Sequence, residues 1–159
     1  MFDFRNIILI AKRELTSYVS TPLGYIFASI FLAMAASLNF YFGKFFDRGI
    51  ADLEPFFQYH PWLYLLLMPA IAMRLWAEEK RSGTIEFLLT LPVTDWQVVL
   101  AKFFGGLVFL FISLLMSISI PISVTMLGNL DMGPVFGSYL GALFLGGSYL
   151  AIGLFISSL

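Results

Sequence analysis

The sequence is poor in the residues that build soluble enzymes: its 159 residues include no cysteine, one histidine and only 12% charged side chains. The absence of cysteine excludes disulfides, iron–sulfur clusters and cysteine-ligated zinc, and a single histidine cannot form a histidine metal cluster. Hydrophobic residues instead make up 60% of the chain. A single core of this size cannot bury so much apolar surface. The composition therefore predicts an integral membrane protein.

The sequence contains no sign of a nucleic-acid ligand or of a nucleotide site. Its net charge of −1 provides no overall basic field that would attract nucleic acid. A phosphate-binding loop needs Gly, four residues and then Gly-Lys-Ser/Thr. The only Gly-Lys pair is Gly43-Lys44, with Leu38 and Phe45 at the other two positions. The acidic residues are scattered, which argues against a membrane enzyme, so we expect no catalytic residue, metal or cofactor in this chain.

Four stretches between charged residues are long enough to cross a membrane, which takes about 20 mostly apolar residues. The sequence therefore predicts an all-α membrane protein with transmembrane helices at 22–42, 55–74, 103–129 and 133–157. The third helix, if continuous, is longer than the roughly 30 Å hydrocarbon core. Most Lys and Arg residues precede the first helix or lie in the 75–102 loop, which predicts that the N-terminus and this loop are cytoplasmic.

The segment before the first span predicts an amphipathic helix over residues 4–19. Its apolar residues recur at alternating spacings of four and three, which places them on one helical face: Phe4, Ile8, Ala11, Leu15 and Tyr18. Such a helix would lie in the membrane interface with its basic side among the head groups. Ser20-Thr21-Pro22 would end it, because proline suits the first turn of the next helix. Alternatively, these residues continue the first span inward.

The loop at 75–102 has the most informative pattern of the chain. It reads as a charged helical extension to Arg81, a stop at Ser82-Gly83 and a short helix from Thr84 to Leu91-Pro92. Thr94 or Asp95 can cap the helix that enters the third span. The short helix is apolar but cannot cross a membrane, so it must dock on its own bundle or on another protein.

This loop resembles that of the permease subunits of type-2 ABC (ABC-2) exporters. The matching residues are Glu78 to Glu86, Leu88-Leu89, Leu91-Pro92-Val93 and Gln97 to Lys102. The N-terminal Ala11 to Leu15, Ser20-Thr21-Pro22 and Tyr25 also fit, so the likeness covers most of the chain. It is strongest to the branch that includes the gliding-motility permease and the permease of nitrous-oxide-reductase maturation.

The resemblance implies a multi-pass permease domain over 1–159 in a bacterial inner (plasma) membrane. Family members typically have six spans, so we expect the first four of six, and a fragment of a longer protein. By resemblance, Gly83 to Pro92 is a coupling helix that seats in a groove of a separate ATP-binding subunit, where ATP binds. The ATPase-coupling candidates are Glu78, Glu79, Gly83, Thr84, Glu86, Phe87, Leu88 and Pro92. Alternatively, the acidic residues form a solvated surface with Lys80 and Arg81.

Prolines and glycines supply further candidates within the spans. Pro61 and Pro69 would interrupt the second span and could serve as a hinge, or be tolerated packing. Gly137 and Gly141 form a small-xxx-small step, which favours helix packing inside the chain over a dimer face. His60 lies near the outer end of the second span, where an interfacial residue is expected rather than a proton relay.

We therefore expect a permease subunit that couples ATP hydrolysis by a separate ABC ATP-binding subunit to export. Its partners would be that ATPase, a second copy or a related permease, and the lipid bilayer, with no nucleic acid. The alternative is an ABC-linked membrane anchor or adaptor for motility or assembly that moves no solute.

Overall fold

The computed structural model describes residues 4–82 and 94–158, and within them every regular element is helical. This confirms the all-α prediction. In chain order, the elements are α1 (Phe4–Ser20), α2 (Pro22–Ser37), a π-helical segment (Leu38–Phe42), α3 (Phe45–Arg48), α4 (Glu54–Gln58), α5 (His60–Ser82), α6 (Asp95–Met116), α7 (Ser119–Leu127) and α8 (Met132–Ser158).

The elbow between α1 and α2 lies where the sequence predicts it. Thr21 is extended, with φ −104° and ψ 143°, and Pro22 is the first residue of α2. A proline costs little there, because the first N–H groups of a helix have no partner within the helix. We call the end of the bundle that carries Thr21 the elbow end. The opposite end, where Gly128 approaches Ala51, is the hairpin end.

Three helical stretches of the described residues are long and apolar enough to cross a membrane: Gly24–Arg48, Trp96–Leu127 and Met132–Ser158. They correspond to the first, third and fourth predicted spans. Helix α5, which carries the second, is not among them, because it begins with His60-Pro61-Trp62 and contains Arg74 and a charged last turn. The count of four spans therefore stays a prediction.

The third span is broken into two helices, α6 and α7. The chain is helical from Asp95, and the helix breaks between Met116 and Ser119. Pro121 explains the break, since it has no N–H to donate to the carbonyl of Ser117 and its ring crowds that carbonyl. Ser117 O instead accepts the N–H of Ile120 at 3.0 Å.

Helices α5 and α8 run parallel and pack closely along their length. Phe57 meets Tyr139 near one end, and Ser157 donates to the carbonyl of Ala72 at 3.4 Å near the other. Glycines of α8 make this approach possible. A Cβ on Gly153 would lie 2.8 Å from Ala72 Cβ, and one on Gly146 would lie 3.3 Å from Tyr64 Cε2.

The glycines predicted to pack inside the chain do not do so. Gly137 and Gly141 are exposed, and a Cβ on either would meet nothing within 4 Å. The internal contacts of α8 are made by Gly146 and Gly153 instead. Spacing could not distinguish the two sets, because in a membrane both the packed face and the lipid-facing face of a helix are apolar.

The glycine contact yields a prediction about stability. Gly153→Val should lower the free energy of unfolding by about 2 kcal/mol, because the added carbons overpack the contact with Ala72. Gly141→Val carries the same β-branched penalty in the same helix but has open space, so it is the matched control. Denaturant unfolding in detergent measures both. Equal losses would mean that α5 and α8 do not pack through Gly153.

Candidate functional site

The predicted coupling segment falls largely outside the described residues. Gly83, Thr84, Glu86, Phe87, Leu88 and Pro92 lie outside them, and Glu78 and Glu79 lie in the last turns of α5 without described side chains. Their contact with an ATPase therefore stays a prediction. The structure does describe the two stems of this segment, which are the end of α5 and the beginning of α6.

The first stem is held to the elbow by Arg74. Its Nη2 donates to Thr21 Oγ1 at 2.6 Å, and its guanidinium carbon lies 5.1 Å from the centre of the Tyr18 ring. Tyr18 in turn stacks on Phe109 of α6, with ring centres 4.6 Å apart. A cation over an aromatic face that is shielded from water stabilises by about 1–2 kcal/mol. Arg74 therefore fixes α5 to both the end of α1 and the elbow.

The second stem is held to α1 by an ion pair. Lys102 Nζ lies 3.2 Å from Glu14 Oε1, and the lysine side chain is completely buried while that of Glu14 is 15% exposed. A buried ammonium is costly without a partner, so the carboxylate permits Lys102 to occupy this position. Gly105, one turn further along α6, brings the helices close, since a Cβ there would lie 2.9 Å from Glu14 Cβ.

The start of α6 is set by a local signal that the sequence analysis recognised. Thr94 is the N-cap residue, and its backbone N–H donates to Gln97 Oε1 at 3.0 Å. The Thr94 side chain in turn faces the backbone N–H of Gln97, and the two contacts together form a capping box. It confirms Thr94 as the start of the helix that enters the third span, although α6 then begins before residue 103, the predicted boundary of the span.

Helix α1 thus contacts both stems of the predicted coupling segment. We call the set Glu14, Tyr18, Thr21, Arg74 and Lys102 the elbow brace. The inward residues of α1 are Ile7, Ala11, Glu14 and Tyr18, whereas Ile8 of the predicted apolar face is 63% exposed. Glu14 thus lies on the packed side of α1, while the placement of α1 in the membrane interface stays a prediction.

Sequence reasoning missed the pairing of the brace residues. Glu14 and Lys102 belong to stretches that match the family pattern, and Arg74 ends the predicted second span, but the sequence pattern pairs none of them. One available signal was the spacing 7, 11, 14, 18, which puts Glu14 on a helical face with Ile7 and Tyr18. A second was the position of Lys102 between Ala101 and Phe103, inside an apolar stretch after the cap.

Other candidate residues lie away from the brace. The predicted second span is interrupted at Tyr59, between α4 and α5, with Pro61 in the first turn of α5, and α5 then continues through Pro69. Their role as a hinge stays a prediction. His60 is enclosed by aromatic rings, including Phe56 and Tyr64, and its Nδ1 lies 2.7 Å from the Phe56 carbonyl oxygen. The described residues include no group of three or more His, Asp or Glu that could hold a metal ion.

The long apolar helices and the absence of strands among the described residues define a multi-pass α-helical membrane protein. A family profile described as "ABC-2 family transporter protein" matches residues 63–159, which is more than half of the chain. The chain therefore belongs to the ABC-2 transporter family, as the loop pattern indicated. No curated protein and no solved structure matches it significantly. The particular branch predicted from the sequence is not confirmed.

The ion pair of the brace yields a second prediction. Glu14→Gln should lower the free energy of unfolding by about 3 kcal/mol, because it removes the carboxylate from a buried ammonium. The double variant Glu14→Gln/Lys102→Met should recover most of this loss, since it removes the charge as well. Lys12→Gln, on the exposed side of α1, is the control. A Glu14→Gln loss no larger than the control's would exclude the pair as a structural constraint.

Proposed function

We propose that this chain is the membrane subunit of an ATP-driven exporter in a bacterial inner membrane, working with separate ABC ATP-binding subunits. Membership of the ABC-2 family supports the class of protein. The observation that carries the proposal further is the elbow brace, in which one helix, α1, holds both stems of the predicted coupling segment.

The brace gives the coupling segment a mechanical role. A loop that joins two independent helices would bend locally when an ATPase pushes on it. Here Arg74 and Lys102 attach both stems to α1, so a push on residues 83–93 would move α1, α5 and α6 together. Helix α5 would carry α8 with it through their close parallel packing. Closure of the ATPase subunits would in this way tilt the spans and open a route for the substrate.

The complete transporter requires further copies or partners. We propose that two permease chains, identical or related, join with two ATPase subunits, with the N-terminus and residues 75–102 on the cytoplasmic side. The open space at Gly137 and Gly141 offers one helix face for contact with another permease chain. The anchor or adaptor alternative has no specific support in the described contacts. ATP-driven movement of a solute across the membrane of liposomes that contain the complex would distinguish an exporter from an anchor or adaptor.

The coupling assignment predicts the loss of ATPase binding in loop variants. Gly83→Val would remove the freedom of the predicted turn, and Glu86→Lys would reverse a charge that is predicted to meet a basic groove. Both should abolish copurification of a P-loop ATPase while the protein still inserts into the membrane. Asp47→Lys, at the hairpin end, is the control for the charge change. Normal ATPase binding by both loop variants would contradict the assignment of residues 83–92 as the coupling helix.

The mechanical role of the brace predicts a different defect. Thr21→Val removes the hydroxyl that accepts from Arg74 but keeps the shape of the side chain. ATPase binding should persist, while the solute transported per ATP hydrolysed should fall severalfold, because the hydrogen bond that links α5 to the elbow is lost.

Thr16→Val is the matched control for Thr21→Val. Both hydroxyls donate to the carbonyl four residues earlier at 2.8 Å, but Thr21 alone of the two has the contact with Arg74. Transport and ATP hydrolysis measured in the same liposomes give the ratio. Equal ratios for the two variants would mean that the Arg74 contact does not transmit the push.

A further inference from the structure

A lateral groove lies between the broken third span and α8, towards the hairpin end. Its volume is about 410 Å³, within the range of about 300–1,000 Å³ for small-molecule pockets. Phe111, Leu115 and Ile118 line one side, and Phe136 and Leu140 line the other. The wall has no exposed polar surface, although Tyr139 contributes to it.

The groove is apolar because the polar groups beside it are satisfied within the protein. The Tyr139 hydroxyl lies 3.0 Å from Ser117 Oγ, and that serine donates to the carbonyl of Leu114 at 2.7 Å. These bonds occupy the polar groups next to the break in the third span. The groove therefore offers no hydrogen bonds to a polar ligand and favours one that needs none.

The groove lies where the third span is broken beside α8. Helix α6 packs against α8, whereas α7, which follows the break, is not among its close partners. Residues before and after the break, Leu115 and Ile122, both line the groove. The sequence cause is Pro121, which also contributes to the wall.

We propose that this groove binds one acyl chain of a bilayer phospholipid. Its lining residues are continuous with the lipid-facing surface: Phe111, Leu115, Ile122, Phe136 and Leu140 are all exposed large apolar side chains. Bilayer lipid is the medium around a membrane-spanning bundle, so acyl chains are always available there. An acyl chain restores the dispersion contacts that the groove walls otherwise lack.

The dimensions favour an acyl chain over a protein helix as the occupant. One turn of an α-helix about 10 Å wide and 5.4 Å long takes up roughly 420 Å³, which is already the whole volume of the groove. A helix could therefore cover the opening but could not lie inside it. A single hydrocarbon chain is narrow enough to enter and flexible enough to follow the break.

The proposal is independent of ATPase coupling, and lipid labelling tests it. The full-length chain is placed in nanodiscs that contain phosphatidylethanolamine with a diazirine in the middle of its acyl chain. After irradiation, peptide mass spectrometry maps the adducts with and without a prior detergent wash. When the wash precedes irradiation, adducts at Leu115 and Phe136 should still form, whereas those at Phe155, an exposed α8 residue outside the groove, should not.

Matched variants test the same site by native mass spectrometry. Leu140 and Ile152 are both 58% exposed on α8, but only Leu140 lines the groove. Leu140→Trp should reduce the lipid retained per chain by about tenfold, because the larger ring fills the space, and Ile152→Trp should retain it.

Three results would overturn the proposal. One is that the wash before irradiation prevents adducts in the groove as fully as it prevents those at Phe155. Another is the absence of lipid adducts on groove residues in the nanodisc, which is the result expected if another helix or a second copy of the chain covers the groove. The third is equal lipid retention by the two tryptophan variants. If Leu140→Trp does not fold, the labelling pattern of the wild-type chain decides.

Discussion

The buried ion pair between Glu14 and Lys102 is the constraint on which the elbow end depends. It buries charged groups at the contact of α1 with α6. Replacing such a pair with hydrophobic side chains is often neutral for the free energy of folding or stabilises the protein. What the pair provides is a defined register, because only one position of α1 along α6 brings the two charges together. Gly105 and the Tyr18–Phe109 stack fit that same register. Arg74 then extends it to α5.

The two ends of the bundle are held by different physical means. At the elbow end, charged and aromatic side chains join three helices across long sequence separations. Along α5 and α8, glycines permit close contact, and shape complementarity replaces specific polar bonds. The hairpin end has a broken helix whose polar groups are satisfied locally by Ser117 and Tyr139. The elbow end therefore depends on charged and aromatic contacts, whereas the contact of α5 with α8 depends on shape.

The features that the sequence predicted correctly depend on local chemistry. Pro22 after Thr21 and the Thr94 cap each need only a few neighbouring residues, so their positions could be predicted. The features it missed depend on distant partners. Lys102 is 88 residues from Glu14, and nothing local identifies that carboxylate as its partner. Gly146 packs against Leu110 and Tyr64 whereas Gly137 faces open space, and the residues around the two glycines do not distinguish them.

The parallel packing of α5 and α8 has a consequence for the synthesis of the protein. Two parallel helices cannot form a hairpin, so α5 must be followed by the whole third span before its main partner emerges from the ribosome. Helix α5 is also the least apolar of the long span-bearing helices, and it contains Arg74. If α5 inserts as the predicted second span, it therefore lacks its main packing partner until α8 has been made.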